Sequence, residues 1–130
     1  MSLIILYLTT AVVFLALDAL MLGFVISPLF RQHLGDALLT DIRYVPAIIF
    51  YLAYIAGLVF LVSWPGLRDG APVVIPALVI GAMAYGTYEF TSYAVMKGWH
   101  PAMVAVDLTW GTLLTAFAAW AGVAITRALA

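Results

Sequence analysis

Polar residues are sparse along this chain, and they fall in clusters between long apolar runs. A first run extends from about Leu3 to Ile26 and is expected to stop at Ser27-Pro28. The polar stretch from Leu29 to Tyr44 follows, carrying Arg31, His33, Asp36, Asp41 and Arg43. A second run opens near Pro46 and ends at Trp64-Pro65, and the turn from Gly66 to Pro72 holds Arg68 and Asp69. A third covers about Val73 to Met96. Lys97-Gly98-Trp99-His100 then forms a tight turn, and Pro101 opens a fourth run that ends around Thr126-Arg127. Runs of roughly 18 to 25 residues, at about 1.5 Å per residue, match the ~30 Å hydrocarbon core of a bilayer. The pattern predicts an all-α integral membrane four-helix bundle with short connections. It forms one transmembrane domain over residues 1–130, with spans at about 3–26, 46–64, 73–96 and 101–126.

Finer features follow from turn and packing chemistry. Pro46, Pro76 and Pro101 sit in opening helical turns, where a missing N–H costs nothing. Gly35-Asp36 is expected to start a short interfacial helix, with Leu34, Ala37, Leu38 and Ile42 near one face. The small pairs Ala53 with Gly57, Ala82 with Gly86 and Ala118 with Gly122 read as packing notches that let helices approach. Pro46-Ala47 and Pro101-Ala102 open spans two and four alike, which would make the chain a parallel two-plus-two repeat. Arg31, Arg43 and Lys97 on one side, against Arg68 and Arg127 on the other, point to both termini outside.

Composition narrows the class. The chain is 67% hydrophobic and 8% charged, with a mean hydropathy of +1.18, whereas soluble domains run near half apolar and about a quarter charged. With no cysteine, disulfides, thiolate metal sites and cysteine nucleophiles are excluded. A net charge of −1 without a basic run argues against nucleic acid and against a polybasic lipid patch. The N-terminal run lacks a basic n-region and a small-x-small cleavage site, so it reads as a retained span rather than a signal peptide. Expected partners are membrane lipids and further copies of the chain in a homo-oligomer.

Acids inside apolar spans require a reason, since each costs roughly 2.5–3.5 kcal/mol near a helix centre. Asp18, Glu89 and Asp107 fall within predicted spans, and all three lie in the bilayer half next to connections one and three. Tyr85, Glu89 and Ser92 share a face at i, i+4 and i+7, flanked by Tyr88 and Thr91. Asp107 is followed by Thr109, Trp110 and Gly111. Above this layer stand Arg43, Lys97, Trp99 and His100, as a rim. The candidate ligand-binding set is therefore Asp18, Tyr85, Tyr88, Glu89, Ser92, Asp107 and Trp110. The competing reading makes the acids interhelical hydrogen-bonding glue. It also makes Tyr44, Trp64 and Trp99 an interfacial aromatic belt, and gives span Ser and Thr hydroxyls to their own helix carbonyls.

Neither histidine lies in a span, and no span holds a lysine, so bis-histidine haem and a retinal Schiff base are unsupported. No phosphate loop or nucleophile elbow occurs, so no cofactor is expected. Three acids without histidine would hold a hard cation only with carbonyls or water completing the shell, and no metal is expected either.

The run Tyr85-Gly86-Thr87-Tyr88-Glu89-Phe90-Thr91-Ser92, then Gly98-Trp99, then Asp107-Leu108-Thr109-Trp110-Gly111, resembles the bacterial four-span membrane proteins grouped as domain of unknown function 2177. The family pattern is Tyr-Gly-Thr-Tyr-Asp-Leu-Thr-Asn, a Lys-x-Trp turn and Asp-x-x-Trp-Gly, and Pro46 through Phe50-Tyr51 to Gly57 also fits. Glu89 stands where the pattern has Asp, and Ser92 stands where it has Asn. The resemblance implies four spans and a bacterial inner-membrane location but no activity. Similar members are encoded near enzymes that modify membrane fatty acids. The expected function is binding of a small or lipid ligand at the acidic layer. The alternatives are an enzyme or enzyme subunit in membrane fatty-acid modification, a small proton-coupled transporter, and a structural subunit.

Overall fold

The computed structural model describes residues 1–39 and 43–129, and every regular element among them is helical. The chain forms four long helices: α1 Ser2–Ala37, α2 Tyr44–Asp69 and α4 Pro101–Leu129, with α3 Val74–Val95 between the last two. In an apolar solvent the helix satisfies every backbone donor and acceptor internally, which is why runs rich in Val and Ile still form helices here.

Two expected stops are not helix ends. A five-residue π turn, Leu22–Ile26, precedes Ser27-Pro28, and the Ser27 N–H reaches back five residues to the Leu22 carbonyl. A second, Val59–Ser63, precedes Trp64-Pro65, and the Trp64 N–H bonds the Val59 carbonyl in the same way. Each proline then opens a fresh α-helical segment, where its absent N–H is no loss. α1 therefore carries Arg31 and His33 on its last turns. Where the short interfacial helix was expected, a single 3-10 turn, Gly35–Ala37, closes α1; Asp41 and Ile42 lie outside the described residues. The π turns occur in α1 and α2, so the expected repeat, which pairs α1 with α3, has no counterpart in these irregularities.

α4 is the hub. Half of its apolar window is buried, against 22% of that of α2, because α1 and α3 both pack on it. Glycines set these approaches. A Cβ on Gly111 would run into the Tyr85 ring, and one on Gly122 would run into Thr10. One on Gly81 would lie 2.9 Å from the Thr112 Cα and 3.0 Å from the Gly111 carbonyl oxygen. Of the three expected small pairs, only Ala118 with Gly122 sits in a packed seam. Ala53 and Ala82 are exposed. A Cβ at Gly57 meets nothing within 4 Å, and one at Gly86 meets only a Leu108 methyl at 3.5 Å.

The main core gathers Leu6 and Phe14 of α1, Ile55 and Val59 of α2, and Leu114 and Ala118 of α4. Hydroxyls in the helices turn to their own carbonyls, as expected: Thr10 to Leu6, Thr115 to Gly111 and Thr126 to Gly122, each at 2.7 Å. At the far end, Arg127 donates to the Gly66 carbonyl at 2.8 Å, tying α4 to α2.

α2 packs from Tyr51 onward. Ile55, Leu58, Val59, Val62 and Ser63 are buried, whereas residues 43–50 are all exposed. Its first two turns thus diverge from the bundle and leave a wedge beside the end of α1.

Candidate functional site: an acid-floored cavity between the first and second helices

That wedge encloses a cavity of about 680 Å³, within the range of small-molecule sites. α1 supplies Asp18, Leu22, Ile26, Phe30 and Arg31. Arg43, just ahead of α2, and Ala47, Phe50, Tyr51 and Tyr54 of α2 face them. Intervals of three and four between Asp18, Leu22, Ile26 and Phe30, and between Ala47, Phe50 or Tyr51 and Tyr54, keep each helical set on one face. Tyr85 and Tyr88 of α3 and Asp107 of α4 complete the wall.

The floor is polar. Asp18 is 4% exposed and Asp107 is 8% exposed, so each carboxyl meets little besides the cavity and its own partners. Trp110 donates its indole N–H to Asp18 Oδ1 at 3.1 Å, bridging α4 to α1. Tyr51 faces the same carboxyl from α2. Tyr54 is held by a 2.9 Å hydroxyl–hydroxyl contact with Thr115. The Tyr85 ring seats on Gly111, where no larger residue fits. The mouth is cationic, lined by the exposed Arg31 and Arg43. Among the described residues the only side-chain ion pair joins Arg68 to Asp69, at the opposite end of α2.

A third acid stands behind the floor. Glu89 is fully buried and does not line the cavity. Trp99 donates its indole N–H to Glu89 Oε1 at 3.0 Å. Among the described residues Oε2 has no N–H or hydroxyl partner, and the Asp107 carboxyl stands within hydrogen-bonding reach of Glu89.

This geometry corrects the expected role of Trp99. It is 6% exposed and packs edge-on against Phe30 and Tyr88, at centroid distances of 5.2 and 5.6 Å. It is an interior anchor for Glu89, neither a belt residue nor part of an open rim. His100 stacks on His33 at 4.1 Å, away from the cavity, and Lys97 is exposed on the turn. Ser92 is half-buried but lines no part of the cavity.

Of the sequence candidates, Asp18, Tyr85, Tyr88, Asp107 and Arg43 therefore share one cavity, while Trp110 and Glu89 stand behind it as partners of the two aspartates. Arg31, Tyr51 and Tyr54 line the cavity without being among the sequence candidates. In the sequence Ser27-Pro28 reads as a stop, which places Arg31 in a connection. Arg43, Ala47, Tyr51 and Tyr54 do fall on one helical stripe, a signal masked by the uniformly apolar residues around them.

A family model described as predicted membrane protein, DUF2177, matches residues 3–124. The chain belongs to this family. The match reaches all four helices, and motif residues pack on one another here, Tyr85 on Gly111 and Tyr88 on Trp99, while Trp110 bonds Asp18, which lies outside the motifs. No curated protein and no solved structure matches the chain. As a member of DUF2177 it is a membrane protein, and α1, α2 and α4 are long and apolar enough to cross a bilayer. At 22 residues α3 has the length, but its Tyr85–Ser92 stretch makes it more polar.

Proposed function

We propose that this membrane protein binds an amphiphile, a lipid or single-chain acid, whose anionic group sits at Arg31 and Arg43 and whose apolar chain fills the cavity. The observation that carries this reading is the cavity itself: two arginines at its mouth, aromatic and aliphatic walls, and two aspartates at its floor. Arg43 precedes Tyr51 by eight residues, roughly 12 Å of helix at about 1.5 Å per residue, which is close to half of a ~30 Å hydrocarbon core. With the arginines at headgroup level, the acids lie near the bilayer midplane, and all four helices cross the membrane. The exposed first turns of α2 give a chain in the bilayer a lateral way in. A polar group partway along that chain would hydrogen-bond to the floor. The location we propose is the bacterial cytoplasmic membrane.

Native mass spectrometry on protein extracted in mild detergent tests this. The wild type is expected to carry an amphiphile mass that is depleted in the folded Arg31→Gln/Arg43→Gln variant. Equal spectra for the two proteins would refute the reading.

A further inference from the structure

The pairing of Glu89 with Asp107 leads past the question of what fills the cavity. Each ionised carboxylate only accepts hydrogen bonds, so two of them in contact cannot bond unless one carries a proton. Glu89 is fully buried, its Oε1 is taken by the Trp99 N–H, and its Oε2 is left without a hydroxyl or N–H partner among the described residues. A polar oxygen in that position is costly unless a donor reaches it, and the neighbouring group in reach is the Asp107 carboxyl.

We propose that Glu89 and Asp107 form a proton-holding pair, one proton shared between their carboxyls, with Asp107 presenting it to the cavity and Glu89 holding it from behind. The groups around the pair fit one proton. Asp18 faces Asp107 from α1, Tyr51 faces the acids from α2, and Tyr85 and Tyr88 face them from α3. None of these is a cation, so the proton is what relieves two like charges held together in an apolar medium. Trp99 and Trp110 divide the work: each indole stabilises one acid, Glu89 and Asp18 respectively, and neither donates to Asp107. Asp107 is thus the floor group left to exchange a proton. A carbonyl oxygen reaching the floor accepts a hydrogen bond from Asp107 and leaves the proton on the pair; a basic nitrogen takes the proton, and the cation so formed then sits against the two carboxylates in place of the shared proton. With no acceptor present the proton returns to the pair. Glu89 is a positioning residue here, acting on the cavity only through Asp107.

This inference does not depend on the identity of any bound amphiphile, and its test uses delipidated protein. Infrared spectroscopy of the full chain at neutral pH is expected to show a protonated-carboxyl C=O band that shifts in D2O and on 13C-carboxyl labelling of Asp or Glu. In Glu89→Gln and in Asp107→Asn the new amide can donate to the remaining acid, so the band should vanish, whereas Asp18→Asn should keep it. Absence of the band in the wild type, or its survival in both pair variants, would overturn the proposal. If the pair variants fail to fold, the labelled wild type still decides, because Glu89 is the single glutamate of the chain: a proton shared by the pair gives a band that the Glu label moves, and a band moved by the Asp label alone would overturn the proposal. Native mass spectra that change with the arginines while this band is absent would sink the proton pair and leave the amphiphile reading standing.

Discussion

Gly111→Ala tests the packing that shapes the cavity wall. The added Cβ would fall inside the Tyr85 ring. Tyr85 must therefore swing off its seat and into the cavity that it lines. Overpacking of this kind costs about 1–3 kcal/mol. At roughly 4 °C per kcal/mol for a chain of this size, a midpoint of 2 kcal/mol lowers Tm by about 8 °C. Thermal unfolding in detergent, followed by circular dichroism, reads this directly. Tyr85→Ala removes the ring, so Gly111→Ala should cost far less in that background, a coupling expected of residues in contact. Gly57→Ala is the control. Its Cβ meets nothing within 4 Å, and replacing a mid-helix glycine stabilises by roughly 0.5–1 kcal/mol. Equal effects of Gly111→Ala and Gly57→Ala, or strict additivity with Tyr85→Ala, would refute the reasoning.

Three further predictions follow from the same contacts. Trp110→Phe removes the donor to Asp18 and should destabilise by about 1–3 kcal/mol; Asp18→Asn in the same chain should recover part of that loss in thermal unfolding. Trp99→Phe keeps an aromatic ring against Phe30 and Tyr88 but strips Glu89 of its N–H partner, with a similar cost, and combining it with Glu89→Gln should be less than additive. Arg31→Gln and Arg43→Gln should each weaken binding of an anionic amphiphile about fivefold, at ~1 kcal/mol per basic side chain near an anionic headgroup, measured by titration in nanodiscs.

The helices and the acid layer were legible in the sequence because both rest on counting. Apolar run length sets the helices, and residue counts from a connection set the depth of Asp18, Glu89 and Asp107. What failed depends on contacts that no local pattern encodes. Pro28 and Pro65 read as stops, but the π turns ahead of them carry each helix on and bring Arg31 to the cavity mouth. Trp99 read as a belt residue from its place at a span end, although its indole turns inward to Glu89. The notches at Gly81 and Gly111 lie on different helices and obey no i, i+4 rule, whereas Ala53 with Gly57 and Ala82 with Gly86 obey it and pack against little. Trp110 follows Asp107 by three residues yet serves Asp18 on another helix, a choice made by helix packing rather than by spacing.

The central claim is that the wedge between α1 and α2 holds an amphiphile. Ala84 lines the cavity from α3, and Ala84→Trp would put an indole into the space meant for the chain while every acid and arginine stays in the sequence. Native mass spectrometry of both proteins titrated with palmitate tests the claim most directly. The account predicts one saturable adduct on the wild type and none on the folded variant; the same adduct on both, with the same midpoint, would contradict it.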